Sequence, residues 1–180
     1  MNGGPIRAAV LTVSDRCSRG EAADTSGPAL VEMLRSRLGA EVVDSRCVPD
    51  EQTQIAGCFA EWAKRGGIDL VLSAGGTGLA PRDVTPEAAA SVIERPHSGL
   101  MELARMRCYQ KTPRTYLSRG VAGTRGRTLI VTLPGSQRGC TEMLEALLDV
   151  LPHAVETLRG EVTDDGRIGA GGAGVVKHKD

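Results

Sequence analysis

Apolar residues along the chain fall into two alternating kinds of segment. Ile6 to Val13 is a mostly apolar, β-favouring run ended by Ser14-Asp15, the pattern of a buried strand. Ala29, Leu30, Met33, Leu34 and Leu38 then recur at helical spacing, with Pro28 in the first turn and Gly39 just past the end. Glu41 to Val48 reads as a second strand, and Pro49-Asp50-Glu51 opens a helix through Ile55, Phe59 and Trp62 that Gly66-Gly67 ends. Asp69 to Ser73 is a short third strand running into Gly75-Gly76-Thr77-Gly78, after which Thr85 is expected to cap a helix with Pro86 at its first position.

Farther along, Ser98 to Gln110 is predicted as a helix with Leu100, Leu103, Ala104 and Met106 inward, ended by Pro113. Leu117 to Thr128 carries Gly120, Gly123 and Gly126 and reads as a short irregular strand or hairpin before the strong strand Leu129 to Leu133. Pro134-Gly135-Ser136 turns the chain into a last helix with Met143, Leu144, Leu147, Leu148 and Leu151 at core spacing, which Pro152 should kink or restart. Strands alternating with helices predict one α/β domain over residues 1–160, with a mostly parallel sheet covered on both faces. Residues 161–180 are rich in glycine and charge without apolar periodicity, and are expected to be a mobile tail.

Ligands of such sheets lie beyond the carboxyl ends of the strands. The loops at Ser14-Asp15, Pro49-Asp50, Gly75 to Gly78 and Pro134 to Ser136 should therefore border one crevice. In the third of these, absent side chains let backbone N–H groups approach phosphate oxygens, and Thr77 can add a hydroxyl; a plain tight turn explains the glycines equally. The loop matches neither a Walker A motif nor a dinucleotide fingerprint. It is expected to be exposed, so that Gly76→Val would impair binding more than folding. Asp83 could ligate Mg²⁺ beside a phosphate or simply favour a helix N-terminus, and Asp50 could do the same or cap the second helix. Pro134, Gly135 and Ser136 could hold an anion within reach of Arg138, or be a well-made turn. Ser14, Asp15, Asp24, Ser26 and Gly27 could shape a pocket or cap the first helix.

Composition narrows the ligand. The 180 residues carry 22 basic and 22 acidic side chains, so no overall field draws a polyanion such as DNA. One Trp, one Phe and two Tyr leave little for stacking single-stranded nucleic acid. The five cysteines form no CxxC pair, so they read as reduced, mostly buried thiols. The three histidines lack ligand spacing, and His153 reads as structural. Without a secretory signal or an apolar stretch of membrane-spanning length, a cytoplasmic protein with no membrane partner is expected.

Four segments in order, LTVSDRCSRGEAADTSGPAL, VPDE, GGTGLAPRDVTPEA and LPGSQRG followed by LPHAVETLRG, resemble the molybdopterin adenylyltransferase family of molybdenum cofactor biosynthesis, including its gephyrin-type domains. The resemblance runs from about Arg7 to Glu161. It implies a three-layer α/β/α sandwich, a homotrimer, and a reaction of molybdopterin with ATP and Mg²⁺ that gives adenylylated molybdopterin and pyrophosphate. It also implies transfer of the product to a molybdenum-inserting partner. By motif, Asp83 and Asp50 match the catalytic and metal-binding acids, and Gly75, Gly76, Thr77 and Gly78 match the nucleotide or phosphate loop. Pro134, Gly135 and Ser136 match a second binding loop, and Thr12, Ser14, Ser26 and Gly27 match the first-loop region. Gln137-Arg138 departs from the Pro-Lys of many bacterial relatives but keeps a basic residue. The alternative function is a non-catalytic molybdopterin-binding or scaffold protein, for which the retained acids Asp50 and Asp83 are less expected.

Overall fold

The computed structural model describes residues 4–160, so the expected tail lies outside the described residues. Six strands form one sheet: β1 (Arg7–Val13), β2 (Glu41–Val48), β3 (Leu70–Ala74), β4 (Arg95–Pro96), β5 (Ala122–Arg125) and β6 (Thr128–Leu133). Their spatial order is β2-β1-β3-β6-β5-β4. The first four in that order are parallel, and β5 and β4 are added antiparallel.

The helices are α1 (Asp15–Ser18), α2 (Ser26–Leu38), α3 (Gln52–Arg65), α4 (Thr85–Ala90), α5 (Ser98–Cys108), α6 (Gln137–Glu145) and α7 (Leu151–Arg159). Alternate residues of each strand serve opposite faces. Ala8 and Val10 of β1 thus join Leu72 and Val131 in a core with Leu30 and Leu34 of α2, Met101 of α5, Leu144 of α6 and Leu151 of α7. Ala9, Leu11 and Val13 join Val71 and Ile130 on the other face with Ile55, Phe59 and Trp62 of α3 and Ala88 of α4. The result is the expected three-layer α/β/α sandwich.

The strand and helix expectations hold with local exceptions. Gly39 ends α2 in the left-handed region at φ 59°, and the chain restarts as α7 around Pro152. Leu117 to Thr128 resolves into a 3-10 turn (Pro113–Leu117), an irregular stretch and the β5–β6 hairpin, which turns at Gly126 with φ 53°. Thr85 is not a cap: it begins α4 itself, and its Oγ1 is buried with no hydrogen-bond partner among the described residues. Met106 is 60 % exposed rather than inward, because α5 buries Leu100, Met101, Ala104 and Cys108 instead. His153 is exposed beside Glu156, so it is no core residue. Cys58, Cys108 and Cys140 are buried free thiols, whereas Cys47 is exposed. No helix among the described residues is long and apolar enough to cross a membrane.

Candidate functional site

Register brings the strand ends level. Val13 pairs with Val48, Thr12 with Ala74, and Ala74 with Leu133, so the four loops predicted to share a crevice leave the same edge of the sheet. They also hold one another. Gly75 donates its amide to the Leu133 carbonyl at 3.1 Å, and Ser14 donates to Val48 at 2.9 Å. A Cβ on Gly75 would collide with the Val13 carbonyl, and one on Gly135 would sit 3.1 Å from Gly75 Cα. Glycine is required at Gly75 and gives the closest approach at Gly135, so that three loop backbones can pack together.

The first loop is mostly a helix-entry device. Asp24 accepts the Ser26 and Gly27 amides, both at 3.0 Å, and takes the Thr12 hydroxyl at 2.6 Å. Ser26 donates its hydroxyl to the Gly135 carbonyl at 2.8 Å, tying α2 to the Pro134–Ser136 turn. Ser14 caps α1 by accepting the Cys17 amide. The alternatives left open for this loop therefore resolve locally as capping by Asp24 and Ser14.

Asp50 does not cap α3, whose N-cap is Glu51 with no side-chain bond. Its carboxylate accepts the Asp15 amide at 2.9 Å while Asp15 accepts the Asp50 amide at 3.1 Å, a reciprocal clasp between the first two loops. Arg82 closes over it with hydrogen bonds to both Asp15 oxygens and to Glu51. That guanidinium holds the Asp15 carboxyl below the usual range. Burial pushes Asp50 up, with the negative charges of Asp15 and Asp83 adding to the effect.

The glycine loop is more enclosed than expected. Gly75 and Thr77 are buried, and a Cβ at Gly76 (φ 61°) would collide with Thr85 Oγ1 and lie 3.1 Å from Asp50 Oδ1. This crowding runs against the expectation that Gly76→Val impairs binding more than folding. Asp83 accepts the Ala80 amide at 2.8 Å and packs on Gly78, where a Cβ would lie 2.8 Å from its Oδ2. Arg119 braces the loop from the connection between the 3-10 turn and β5: its amide donates to Thr77 O, and its guanidinium reaches Gly78 O, Asp83 O and Glu87. The Thr77 hydroxyl pairs with Ser118 at 3.1 Å.

These loops form one side of a cleft of about 650 Å³ lined by Gly76, Thr77, Gly78, Asp83, Pro134, Gly135 and Ser136. The other side comes from the α5–β5 connection, with Thr112, Arg114, Thr115, Leu117 and Ser118, and from Glu142 of α6. Thr12, Ser14, Ser26, Gly27, Gly75 and Asp50 stand behind the lining as supports, and Arg138 lies off it, 76 % exposed and paired with Glu142. The sequence singled out neither Arg119 nor the Thr112–Ser118 wall; the polar TPRTYLS string after a helix was the available signal.

Residues 9–153 match the family model described as a probable molybdopterin binding domain. The chain belongs to this family of molybdenum cofactor biosynthesis. It is 37% identical over 156 residues to a molybdopterin adenylyltransferase of Helicobacter pylori, covering 86% of this chain and 89% of that protein. It is also 37% identical over 154 residues to the molybdenum cofactor synthesis protein cinnamon of Drosophila melanogaster, of which it spans only 26%. It likewise spans 21% of the gephyrin of Dictyostelium discoideum. Among solved structures, a molybdopterin biosynthesis enzyme MoaB from Thermus superposes with a TM-score of 0.81 at 51% identity, covering 86% of this chain and 97% of that one.

The Asp50 and Asp83 carboxylates beside the Gly75–Gly78 loop are hard oxygen donors. Among the described residues no group of three or more His, Cys, Asp or Glu side chains could cage a metal. That donor set fits a hydrated Mg²⁺, because this ion keeps several waters and commonly takes one or two carboxylates from the protein.

Proposed function

We propose that the chain adenylylates molybdopterin with Mg-ATP. The observation that carries this reading is the packing of Asp50 and Asp83 on the Gly75–Gly78 loop, where that loop meets Pro134–Ser136 at the carboxyl edge of the sheet. A phosphate oxygen of molybdopterin attacks the α-phosphorus of ATP, the new P–O bond replaces the bond to the β-phosphate oxygen, and pyrophosphate leaves. The protein's task is to hold two polyanions together. Asp83, with Asp50 next to the loop, would hold Mg²⁺, which when bound neutralises charge on the phosphates. Backbone N–H groups of the two glycine-containing loops orient the phosphates, and the clasp of Asp15, Asp50 and Arg82 keeps the loops in register. No side-chain nucleophile is needed, since the attacking oxygen belongs to the substrate.

Incubation of the pure chain with molybdopterin, ATP and Mg²⁺ should yield the adenylylated product and pyrophosphate by mass detection. Tight molybdopterin binding with no product would instead support the non-catalytic carrier. The same reading includes assembly as a homotrimer and delivery to a molybdenum-inserting partner, and light scattering that returned a monomer at micromolar protein would remove the former.

A further inference from the structure

The wall of the cleft opposite the glycine loops carries its own chemistry. Arg114, on the 3-10 turn Pro113–Leu117, is the cation among the residues lining the cleft, whose acids are Asp83 and Glu142. Glu142 is already matched by Arg138 at 2.9 Å and by the Thr112 hydroxyl. The Arg114 side chain makes no ion pair or hydrogen bond among the described residues. Its neighbour Thr115 lines the same cleft and is 7 % exposed, and its Oγ1 has no partner among the described residues. A buried hydroxyl without a partner costs about 1–3 kcal/mol, so its retention beside a cleft calls for a group that binds there. Leu79 and Leu117, 68 % and 54 % exposed, add apolar lips to the same opening.

We propose that Arg114 and Thr115 form a substrate subsite that takes the phosphate of a flat heterocycle, the ring covering the two leucines. The inference rests on the reading of this cleft as the meeting place of two phosphorylated substrates. Arg114 supplies a forked, permanently charged donor set, and Thr115 a hydroxyl donor satisfied when the ligand or its bound water arrives. Arg114 is then a binding residue of the cleft wall, separate from the carboxylates on the glycine loop.

Titration calorimetry of the full chain with Mg-ATP and with molybdopterin, in separate arms, tells whose phosphate is held. Arg114→Gln should weaken one of the two by about tenfold, the loss expected for a charge-assisted pair, and flatten the salt dependence of that binding. Arg114→Lys should recover part of it. Thr115→Val should weaken the same ligand by about threefold while raising the melting temperature of the free protein, because the orphaned hydroxyl is gone. Binding of both ligands by Arg114→Gln within about twofold of wild type, or a wild type that binds neither, would overturn the subsite. Turnover is read separately. Arg114-dependent binding without adenylyl transfer sinks the proposed reaction alone, and normal transfer with Arg114-independent binding sinks the subsite alone.

Discussion

The two sides of the cleft are built by opposite means. On the glycine side, the parallel strands β1, β3 and β6 end level, and their loops lock through a backbone contact that leaves no room for a Cβ at Gly75, while side chains of Thr85 and Asp50 crowd Gly76. On the other side, the α5–β5 connection reaches the cleft through side chains set on a single 3-10 turn, held by contacts such as Cys108 Sγ to the Glu142 carbonyl and Thr112 to its carboxylate. One side is fixed by main chain, and the other presents side chains. Substitution of a loop glycine on the first should damage folding before binding, and of a side chain on the second binding before folding.

The sharpest way to break that contrast is Gly75→Val. Gly75 has φ 117°, a region L side chains rarely adopt, and any Cβ would meet the Val13 carbonyl. We expect a loss of about 3 kcal/mol or more, read as a large fall in melting temperature. A variant with wild-type melting would show that the loops do not need this close approach.

Asp69→Asn ranks next, and probes the opposite edge of the same parallel strands. Asp69 accepts the Arg7 amide at 2.8 Å and both Arg159 Nε and Nη2 at 3.0 and 2.6 Å, joining the starts of β1 and β3 to the end of α7. Both side chains are mostly buried, at 13 % and 17 % exposure, so removing one charge should cost about 3 kcal/mol. Burial opposes ionisation here, but the hydrogen bonds from Arg159 and Arg7 outweigh it and hold the carboxyl below 3.8. A depressed carboxylate contributes stability above its unfolded value and loses it as pH falls through the folded value. The gap between wild type and variant should therefore be full at pH 7 and close in acid denaturation below pH 3.8.

The same contrast explains what was legible in the sequence. Short β-favouring runs followed by Gly, Pro or Asp locate both the parallel strands and their loops, because parallel topology sends every such loop to one edge. Strand-end placement alone locates Gly75–Gly78, Asp83 and Pro134–Ser136, without any knowledge of packing. It could not tell which carboxylate caps which element: Asp24, not Asp50, holds a helix start, because Asp50 is drawn across to the Asp15 amide. Nor could helical spacing separate Met106 from Met101 as the inward residue of α5. Arg114 and Thr115 were invisible for a related reason. A short 3-10 turn has no periodicity to read, and its meaning comes from the strand ends it lies against.

Asp83→Asn sharpens the comparison at the line between scaffold and chemistry. An amide oxygen can still accept the Ala80 amide that Asp83 holds at 2.8 Å, so the turn should survive and the melting temperature should change little. The negative charge is lost. Adenylyl transfer should fall at least about tenfold, equivalent to ~1.4 kcal/mol of transition-state stabilisation. Wild-type turnover across a Mg²⁺ titration would detach Asp83 from the metal and leave charge stabilisation to the loop amides.

Asp50→Asn should have the smallest effect on stability, and its sign is the informative part. The Asp50 carboxylate keeps the first two loops together by accepting the Asp15 amide, a bond that an Asn side-chain oxygen can also accept. Its charge works against the fold: burial first, then Asp15 and Asp83, raise its proton affinity above the ordinary 3.8. A carboxylate raised in the folded state costs stability once pH climbs past its unfolded value, and the cost is complete above the folded value. Asp50→Asn should consequently be slightly more stable than wild type at pH 7, by less than about 1 kcal/mol because the group is partly solvated. The difference should vanish below pH 3.8, where the wild-type side chain is neutral in both states. Added Mg²⁺ should then stabilise wild type more than the variant, since a cation beside the loop relieves the same repulsion. If Asp50→Asn were instead markedly less stable at neutral pH with no response to Mg²⁺ in either protein, the ionised carboxylate would be a structural clasp, and Mg²⁺ at the glycine loop would fall to Asp83 without it.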